Sequence, residues 1–317
     1  MFDWIIGAKH FREGNYQVAL SYYRRGLLSA PKHRAAACAR LDYAYCLYRC
    51  GNWLEAKDEL VRLTISAPLM KEAFILLAEI ELILGRPQAA VTMLKRFLQR
   101  NSNDPIILAM VTHASIAAGV STEKLFSLRE KLQEVKQELD LEDEGVDSLS
   151  VALAHIEYAV GEEQLGDQLL ARVMATGVCP IEGIVLRAER LLKHGRVLQA
   201  RKHLDRALKA SPRNPRVYAL LAQSYLRDGK SGEAAWAVNL ALQGCQHSFW
   251  QNADVMQTLV ESYERANEKD AALLIALRMR KLASIRELNL DSLNALNIQL
   301  ERLRSGLPKN SVKHAEH

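Results

Sequence analysis

The stretch from Pro212 to Gln246 reads PRNPRVYALLAQSYLRDGKSGEAAWAVNLALQGCQ. Before Gly229, apolar and small residues recur at i, i+3, i+4 and i+7, namely at Tyr218, Leu221, Ala222 and Tyr225. After the glycine, the same kind of face continues at Ala234, Val238 and Ala241. A helical period on both sides of a glycine predicts two helices joined by a tight turn.

The turn glycine of this stretch recurs along the whole chain. The equivalent positions are Gly14, Gly51, Gly85, Gly119, Gly161, Gly195 and Gly229, with Asn267 in the eighth place. The steps between them are 37, 34, 34, 42, 34, 34 and 38 residues, so four steps share one length and three carry insertions. Because the chain has only 16 glycines in 317 residues, this spacing predicts an internal repeat.

Small residues flank each turn at two fixed distances. Seven residues before the turn stand Gly7, Ala44, Ala78, Thr112, Ala154, Ala188, Ala222 and Val260. Five residues after it stand Ala19, Ala56, Ala90, Lys124, Gly166, Ala200, Ala234 and Ala272. Small side chains allow close approach of helices, because an added methylene would overpack the contact. The fourth and eighth units depart from this pattern.

Together these features resemble the tetratricopeptide repeat, a helix–turn–helix unit of 34 residues. The resemblance covers roughly residues 1–286 and includes the closing proline of the repeat at Pro31, Pro68 and Pro212. It implies an all-α, right-handed solenoid of about eight helical hairpins, followed by a C-terminal capping helix.

The repeat pattern also predicts domain boundaries. Residues 1–139 hold four units, the last with an extended helix, and residues 147–286 hold four more. Residues 140–146 are acidic and predict a linker between these halves. Residues 287–304 predict the capping helix, and the polar residues 305–317 predict a disordered tail. The apolar stripe of the capping helix consists of Leu293, Leu296, Leu300 and Leu303.

The extended helix of the fourth unit carries an apolar seam. Its residues Leu125, Leu128, Leu132, Val135 and Leu139 are spaced 3, 4, 3 and 4 apart, which is a heptad pattern. Packing against a neighbouring helix of the same chain explains the seam. The alternative is a homo-oligomer, or a docked partner, held through this helix. Two heptads are short for an independent coiled coil, which favours internal packing.

Composition and motifs favour a non-catalytic protein. The chain is 49% apolar and 25% charged, which is typical of soluble globular proteins. It has no P-loop, G-x-S-x-G, H-E-x-x-H or G-x-G-x-x-G motif. The acidic segment imitates a calcium loop, but Val151 stands where a bidentate glutamate is needed. Packing explains Cys38, Cys46 and Cys50 on one helical side more simply than a metal does. We expect no enzyme activity, cofactor or metal.

Location and partners follow from the same composition. The sequence shows neither a signal peptide nor a run of 18 apolar residues, so we expect no membrane insertion. Its five cysteines have no disulfide-like spacing, which predicts reduced thiols and a cytoplasmic location. The net charge of +5 comes from no block of like charges and does not indicate nucleic acid binding.

The resemblance further implies a groove lined by the first helix of each unit. The second, fifth, ninth, twelfth and thirteenth positions of a unit usually face inward. The candidate groove residues are Trp4, Phe11, Leu41, Tyr45, Tyr48, Glu79, His113, His155, Tyr158, Glu189, Gln223 and Glu261. This groove is apolar and aromatic at its N-terminal end, and its later ninth positions are polar or acidic. The Lys and Asn pattern with which some such repeats grip an acidic C-terminus is absent.

These expectations favour a scaffold or adaptor that binds an apolar or amphipathic segment of a protein partner in the groove. Family analogy adds the assembly of a bacterial secretion or surface structure as a setting. One alternative is an RNA-binding helical repeat, because pentatricopeptide repeats have nearly the same length, but that function needs a basic groove. A ligand-sensing regulator built on repeats is the other alternative, and a co-purifying small molecule would reveal it.

Overall fold

A computed structural model gives the structure of the chain. It describes residues 2–31, 33, 35–140, 142–143, 145–211, 214–230, 232–234, 236–237, 257, 260–261, 263–265, 267–270, 272–273, 275–277, 280 and 290–305. These residues contain α-helices, turns and loops, and no β-strand occurs among them. The chain is therefore an all-α protein.

Helices follow one another as hairpins. The first six hairpins are α1 (Phe2–Arg12) with α2 (Tyr16–Ser29), α3 (Ala36–Arg49) with α4 (Trp53–Ser66), α5 (Lys71–Ile83) with α6 (Pro87–Leu98), α7 (Pro105–Ala117) with α8 (Thr122–Gln137), α9 (Val146–Val160) with α10 (Glu163–Ala175), and α11 (Ile181–Lys193) with α12 (Val197–Ala210). The further helices with continuous bounds are α13 (Pro215–Arg227) and α14 (Leu290–Ser305). Successive hairpins pack on one another as an α-solenoid.

The turn positions predicted from the sequence have the backbone geometry that the turn requires. Seven glycines have a positive φ there, namely Gly14, Gly51, Gly85, Gly119, Gly161, Gly195 and Gly229. In the eighth place, Asn267 has a φ of 62° and is the one non-glycine residue with positive φ among those described. Asparagine tolerates the left-handed region better than most residues, so it can replace the glycine.

The small residues that flank the turns lie at helix–helix contacts. All eight positions before the turn are buried, and so are seven of the eight positions after it. The exception is Lys124 in the fourth unit, which is exposed. In the same unit Thr112 is buried, and its hydroxyl donates a hydrogen bond to the Leu108 carbonyl at 2.9 Å. That bond satisfies the polar group of a residue that breaks the pattern.

Two of these positions test directly which residues of the repeat lie at helix–helix contacts. Ala222 and Ala234 are fully buried, so replacing either with leucine should destabilise the fold by roughly 1–3 kcal/mol through overpacking. Ala210 is exposed on α12 and provides the control. The measurement is urea unfolding of each variant. Equal midpoints for the buried and exposed substitutions would contradict the assigned register.

The helices on either side of the predicted acidic linker share a core. Across residues 140–146, helices α7 and α9 pack directly on each other, and one core contains Leu108 and Ala109 together with Leu149 and Leu153. By contacts between its residues, the chain divides into two compact units, Met1–Arg187 and Ala188–His317, with the division inside α11. The two halves of four repeats each stay a prediction.

The heptad seam of α8 packs inside the chain. Leu125, Leu132 and Val135 are buried in the core that α8 shares with α7 and α9, and Leu128 and Leu139 pack against the same core. Internal packing therefore accounts for the seam, and a homo-oligomer through these five residues stays a prediction. The helix ends at Gln137 and has 16 residues, against 13 in α7 and 15 in α9.

Helix α14 contacts the eighth unit. Leu300 and Leu303 are buried, whereas the side chains of Leu293 and Leu296 lie outside the described residues. Its polar side also makes contacts, because Gln299 and Arg302 donate hydrogen bonds to the Glu264 carboxylate at 3.0 and 2.7 Å. The predicted capping helix is present from Leu290, and the predicted tail from 306 onward lies outside the described residues.

Candidate functional site

Three aromatic rings form one cluster at the N-terminal end of the predicted groove. Phe11 on α1, Tyr16 on α2 and Tyr45 on α3 meet pairwise edge to face, and we call them the aromatic cluster. Their ring centroids lie 5.9, 5.5 and 6.1 Å apart, within the range of favourable aromatic pairs. All three side chains are half-buried. The cluster therefore presents aromatic surface that the first two hairpins leave partly exposed.

Arg49 covers part of this cluster. Its guanidinium carbon lies 4.7 Å from the ring centroid of Tyr16 and 5.8 Å from that of Tyr45. Its Nη1 also donates a hydrogen bond to the Tyr45 hydroxyl at 3.1 Å. Stacking on an aromatic face suits a guanidinium, which is planar and weakly hydrated. Arg49 holds the thirteenth position of its unit, which the family pattern directs inward, and it is absent from the residues chosen from the sequence.

Trp4 offers little of its surface to the groove. Its side chain is buried between α1 and α2, where the ring lies directly over Gly26 and 5.1 Å from the His33 ring. The glycine leaves a space for the indole inside the hairpin, and a role of Trp4 in partner binding stays a prediction. Leu41 is half-buried on α3, in keeping with a position at the edge of the groove.

Tyr48 links the aromatic cluster to an acidic residue. Its ring lies 6.0 Å from that of Tyr45, and its side chain is nearly covered. Its hydroxyl hydrogen-bonds the carboxylate of Glu79 on α5. Contacts thus run without interruption from Arg49 through the two tyrosines to Glu79, all on first helices of their hairpins.

Glu79 is enclosed by protein although part of its surface reaches solvent. The pKa of Glu79 is raised to about 8, first by burial and then by the nearby Glu182 carboxylate on α11, while the hydrogen bond from Tyr48 acts to lower it. The Glu182 carboxylate is near enough to Glu79 to raise its pKa. This part of the groove is therefore acidic.

Two histidines meet in the next hairpins. His113 on α7 and His155 on α9 place their Nδ1 atoms 2.8 Å apart, with ring centroids at 5.1 Å. One ring must donate its Nδ1–H and the other must accept it. Local sequence spacing gives no sign of this pair, since 42 residues separate the two histidines. Their shared ninth position in neighbouring units is the signal that could have found it.

Known proteins contain the same repeat. A family model described as tetratricopeptide repeat matches residues 44–105 and 185–252. The chain contains tetratricopeptide repeats in both of these ranges. Comparison of this repeat protein with curated protein sequences gives no match.

Solved structures resemble the repeat protein in fold. The APC/C hetero-tetramer Cut9–Hcn1 is similar at a TM-score of 0.63 and 12% identity, over 94% of this chain and 55% of that chain. The repeat protein therefore spans about half the length of that chain. A monomeric mutant of IFIT1 with Gppp-AAAA is similar at a TM-score of 0.56 and 13% identity, over 98% of this chain and 78% of that chain.

Other candidate groove residues of the repeat protein are engaged within the chain. In the compact unit Met1–Arg187, the Tyr158 hydroxyl donates a hydrogen bond to Asp167 Oδ1 at 2.8 Å. In the compact unit Ala188–His317, Glu189 forms an ion pair with Arg216 at 2.7 Å. Gln223 is half-buried on α13. Glu261 accepts a hydrogen bond from Gln257 at 3.2 Å and lines a cavity of about 660 Å³ beside α14.

The cysteines and the helices of the repeat protein concern the expectations about metal binding and membrane insertion. Cys46 and Cys50 are buried and Cys38 is exposed, and burial raises the pKa of the Cys46 thiol to about 12. The described residues include no group of three or more metal-ligating side chains. Within the described part of the chain, no helix combines the length and the apolar character needed to cross a bilayer.

The raised pKa of Glu79 predicts a pH-dependent stability. Between its ordinary value of 4.5 and about 8, the unfolded chain releases this proton and the folded chain keeps it. Stability from this group therefore falls as pH rises through that window. Glu79→Gln, which keeps an acceptor for Tyr48, should stabilise the protein at pH 8 by roughly 1–3 kcal/mol, allowing for screening by groove water, and add little at pH 4.

The control for this prediction is Glu72→Gln, because Glu72 is exposed at the start of the same helix. Unfolding midpoints across pH would be measured for both variants. A Glu79→Gln profile parallel to that of the wild type would show that the carboxyl titrates normally.

Proposed function

We propose that this tetratricopeptide repeat protein is a non-catalytic adaptor that binds an apolar or amphipathic segment of a protein partner in its groove. The observation that carries the proposal is the half-exposed aromatic cluster on the first two hairpins. Aromatic side chains bury a large area at little entropic cost and dominate many interfaces. Assembly of a larger structure, such as a secretion or surface apparatus, is the setting suggested by the family.

The groove chemistry favours a peptide over RNA. The inner positions of the third and sixth hairpins carry Glu79 and Glu182, which are close enough to raise the pKa of Glu79. An RNA backbone would bring phosphates towards these acidic residues, which would raise the pKa of Glu79 further, whereas phosphate contacts require Lys or Arg. The IFIT1 structure with Gppp-AAAA shares only the fold at 13% identity. An extended or helical peptide can place apolar side chains on the aromatic cluster and a basic side chain near Glu79.

The cysteines of α3 favour a cytoplasmic location for this adaptor. Of the described cysteines, Cys46 and Cys50 lie one helical turn apart on α3 and are not joined. Reduced, buried thiols are usual in the cytoplasm and unusual in secreted proteins.

A ligand-sensing role would show itself as a small molecule that co-purifies with the chain and is released on denaturation.

The test uses a random peptide display library selected on the full chain. Selected peptides would be synthesised, and their binding measured by fluorescence anisotropy. Tyr45→Ala should weaken their binding by roughly 1–3 kcal/mol, because it removes the central ring of the aromatic cluster. The fold should survive, since Tyr45 is half-buried rather than part of a closed core.

Tyr22→Ala is the matched control for this variant. Tyr22 also carries a stacked arginine, with the Arg25 guanidinium 4.6 Å from its ring, but it lies outside the aromatic cluster. Its removal should leave peptide affinity unchanged. Failure of the library to yield any binder, or equal affinities for wild type and Tyr45→Ala, would refute a binding site at this end of the groove. Sedimentation of the same variants would reveal a second copy as the occupant.

A further inference from the structure

Arg49 has a positive charge that the described residues do not neutralise. Its contacts are with the rings of Tyr16 and Tyr45 and with the Tyr45 hydroxyl. No described carboxylate lies within ion-pair distance, and its buried Nε has no hydrogen-bond acceptor. A buried donor without an acceptor is costly, and so is a partly covered charge without a counter-ion.

Other stacked arginines of the chain show what is missing. Arg25 stacks on Tyr22 and also pairs with Asp3 at 3.3 Å. Arg201 stacks on Tyr225 and pairs with Asp228 at 2.6 Å. In both cases the ring holds the guanidinium in place and a carboxylate satisfies its charge. At Arg49 the rings are present, but no carboxylate in the described part of the chain pairs with the guanidinium.

We propose that Arg49 recognises an aspartate or glutamate side chain of the partner segment, next to an apolar side chain that packs on the aromatic cluster. This inference rests on the proposed function and adds to it the chemistry of the bound segment. A guanidinium held on aromatic rings loses little freedom when it pairs with a carboxylate, and such pairs are strong and directional. The apolar rings around it exclude water and strengthen the pairing.

The surroundings of Arg49 give the bound segment a direction. A continuous line of contacts leads from Arg49 through Tyr45 and Tyr48 to Glu79, where the groove becomes acidic. The groove is therefore positive at the aromatic cluster and acidic farther along, where Glu79 keeps its proton near neutral pH and a bound basic side chain would lower its pKa and favour the carboxylate. A segment with an acidic residue at one end and a basic residue at the other matches this order of charges. A nucleic acid strand, negative along its whole length, matches only the first part.

The experiment begins with peptides selected from the random library on the wild-type full chain. Enrichment of Asp or Glu beside an aromatic or aliphatic residue is the expected result. Arg49→Gln should weaken binding of such a peptide about tenfold or more, the effect of losing one charged hydrogen-bonded pair. Replacing the acidic residue of the peptide with its amide should cause a similar loss with wild type and almost none with Arg49→Gln.

Two variants separate recognition from a structural role. Arg49→Glu should recover affinity for a peptide whose acidic residue is changed to lysine, which a merely disordered cluster could not do. Arg25→Gln removes a stacked arginine that already has a carboxylate partner, and it should leave peptide affinity unchanged. Thermal melting of each variant checks that the fold is retained, and a loss of charge-swap recovery in a folded Arg49→Glu protein would overturn the inference.

The outcomes also distinguish this inference from the proposed function. Peptides that bind at Tyr45 without any preference for acidic residues would overturn the role of Arg49 and leave the adaptor function intact. A library without binders would overturn both. Tight binding of a single-stranded RNA with a 5′-triphosphate, weakened by Arg49→Gln, would overturn both in favour of nucleic acid.

Discussion

Replacing Gly145 with alanine is expected to lower the free energy of unfolding of the compact unit Met1–Arg187 by roughly 2–5 kcal/mol, because two effects add. The residue precedes α9 with a φ of 97°, a left-handed conformation that costs an L-residue about 1–2 kcal/mol. An added Cβ would also lie 2.7 Å from Pro105 Cγ and 3.2 Å from Ile106 Cγ1. Helix α7 therefore leaves no room for a methyl group, and overpacking contributes roughly 1–3 kcal/mol.

Gly161 separates the two causes. It ends α9 with a similar φ of 93°, but nothing lies within 4 Å of where its Cβ would stand. Gly161→Ala should therefore cost only the conformational part, about 1–2 kcal/mol. Urea unfolding of both variants provides the comparison. Equal losses would mean that α7 and α9 are not in contact at Gly145, and that residues 140–146 behave as the open linker expected from their composition.

Trp4→Ala is expected to cost roughly 3–5 kcal/mol, the effect of emptying a buried aromatic site. Gly26 makes the origin of this cost measurable, because a Cβ at that position would lie 2.1 Å from the indole ring. In the wild type, Gly26→Ala should destabilise the protein, since the indole must move. In the Trp4→Ala background the same change should stabilise it by about 0.5–1 kcal/mol, since alanine favours a helix over glycine.

The change of sign is the decisive observation for this pair. Thermal or urea unfolding of the four proteins completes a double-mutant cycle, and the coupling between the two positions is read from it. If Gly26→Ala had the same effect in both backgrounds, Trp4 would not occupy the space over the glycine. Trp4 would then return to the groove as a contact for the partner.

The repeat architecture was predictable because its determinants are local. A positive φ at Gly14 or Gly229 depends on the turn itself, and a fully buried Ala222 depends on helices that are adjacent in sequence. These constraints recur in each unit, so the pattern is visible without knowledge of distant contacts. Asn267 shows the strength of this reasoning, since the turn position was assigned without a glycine and has a φ of 62°.

The candidate site was less predictable because it depends on which small residue lies opposite which large one. The burial of Trp4 is decided by Gly26, on the other helix of the hairpin, and a list of inward positions does not contain that information. Arg49 was overlooked for a different reason. Its thirteenth position was known to face inward, but only the structure shows that rings surround it and that a carboxylate does not. Partner preference at the groove stays a prediction.

The order of helix packing affects how this protein can fold during its synthesis. In the compact unit Met1–Arg187, the main packing contacts of the described helices join helices no more than two places apart along the chain. A ribosome adds residues at about 5–20 per second, so a hairpin of 34 residues emerges in about 2–7 seconds. Hairpins form in far less time than that. Each new hairpin can therefore dock on the one already folded, and the nascent chain need never expose more than one unpaired helix face.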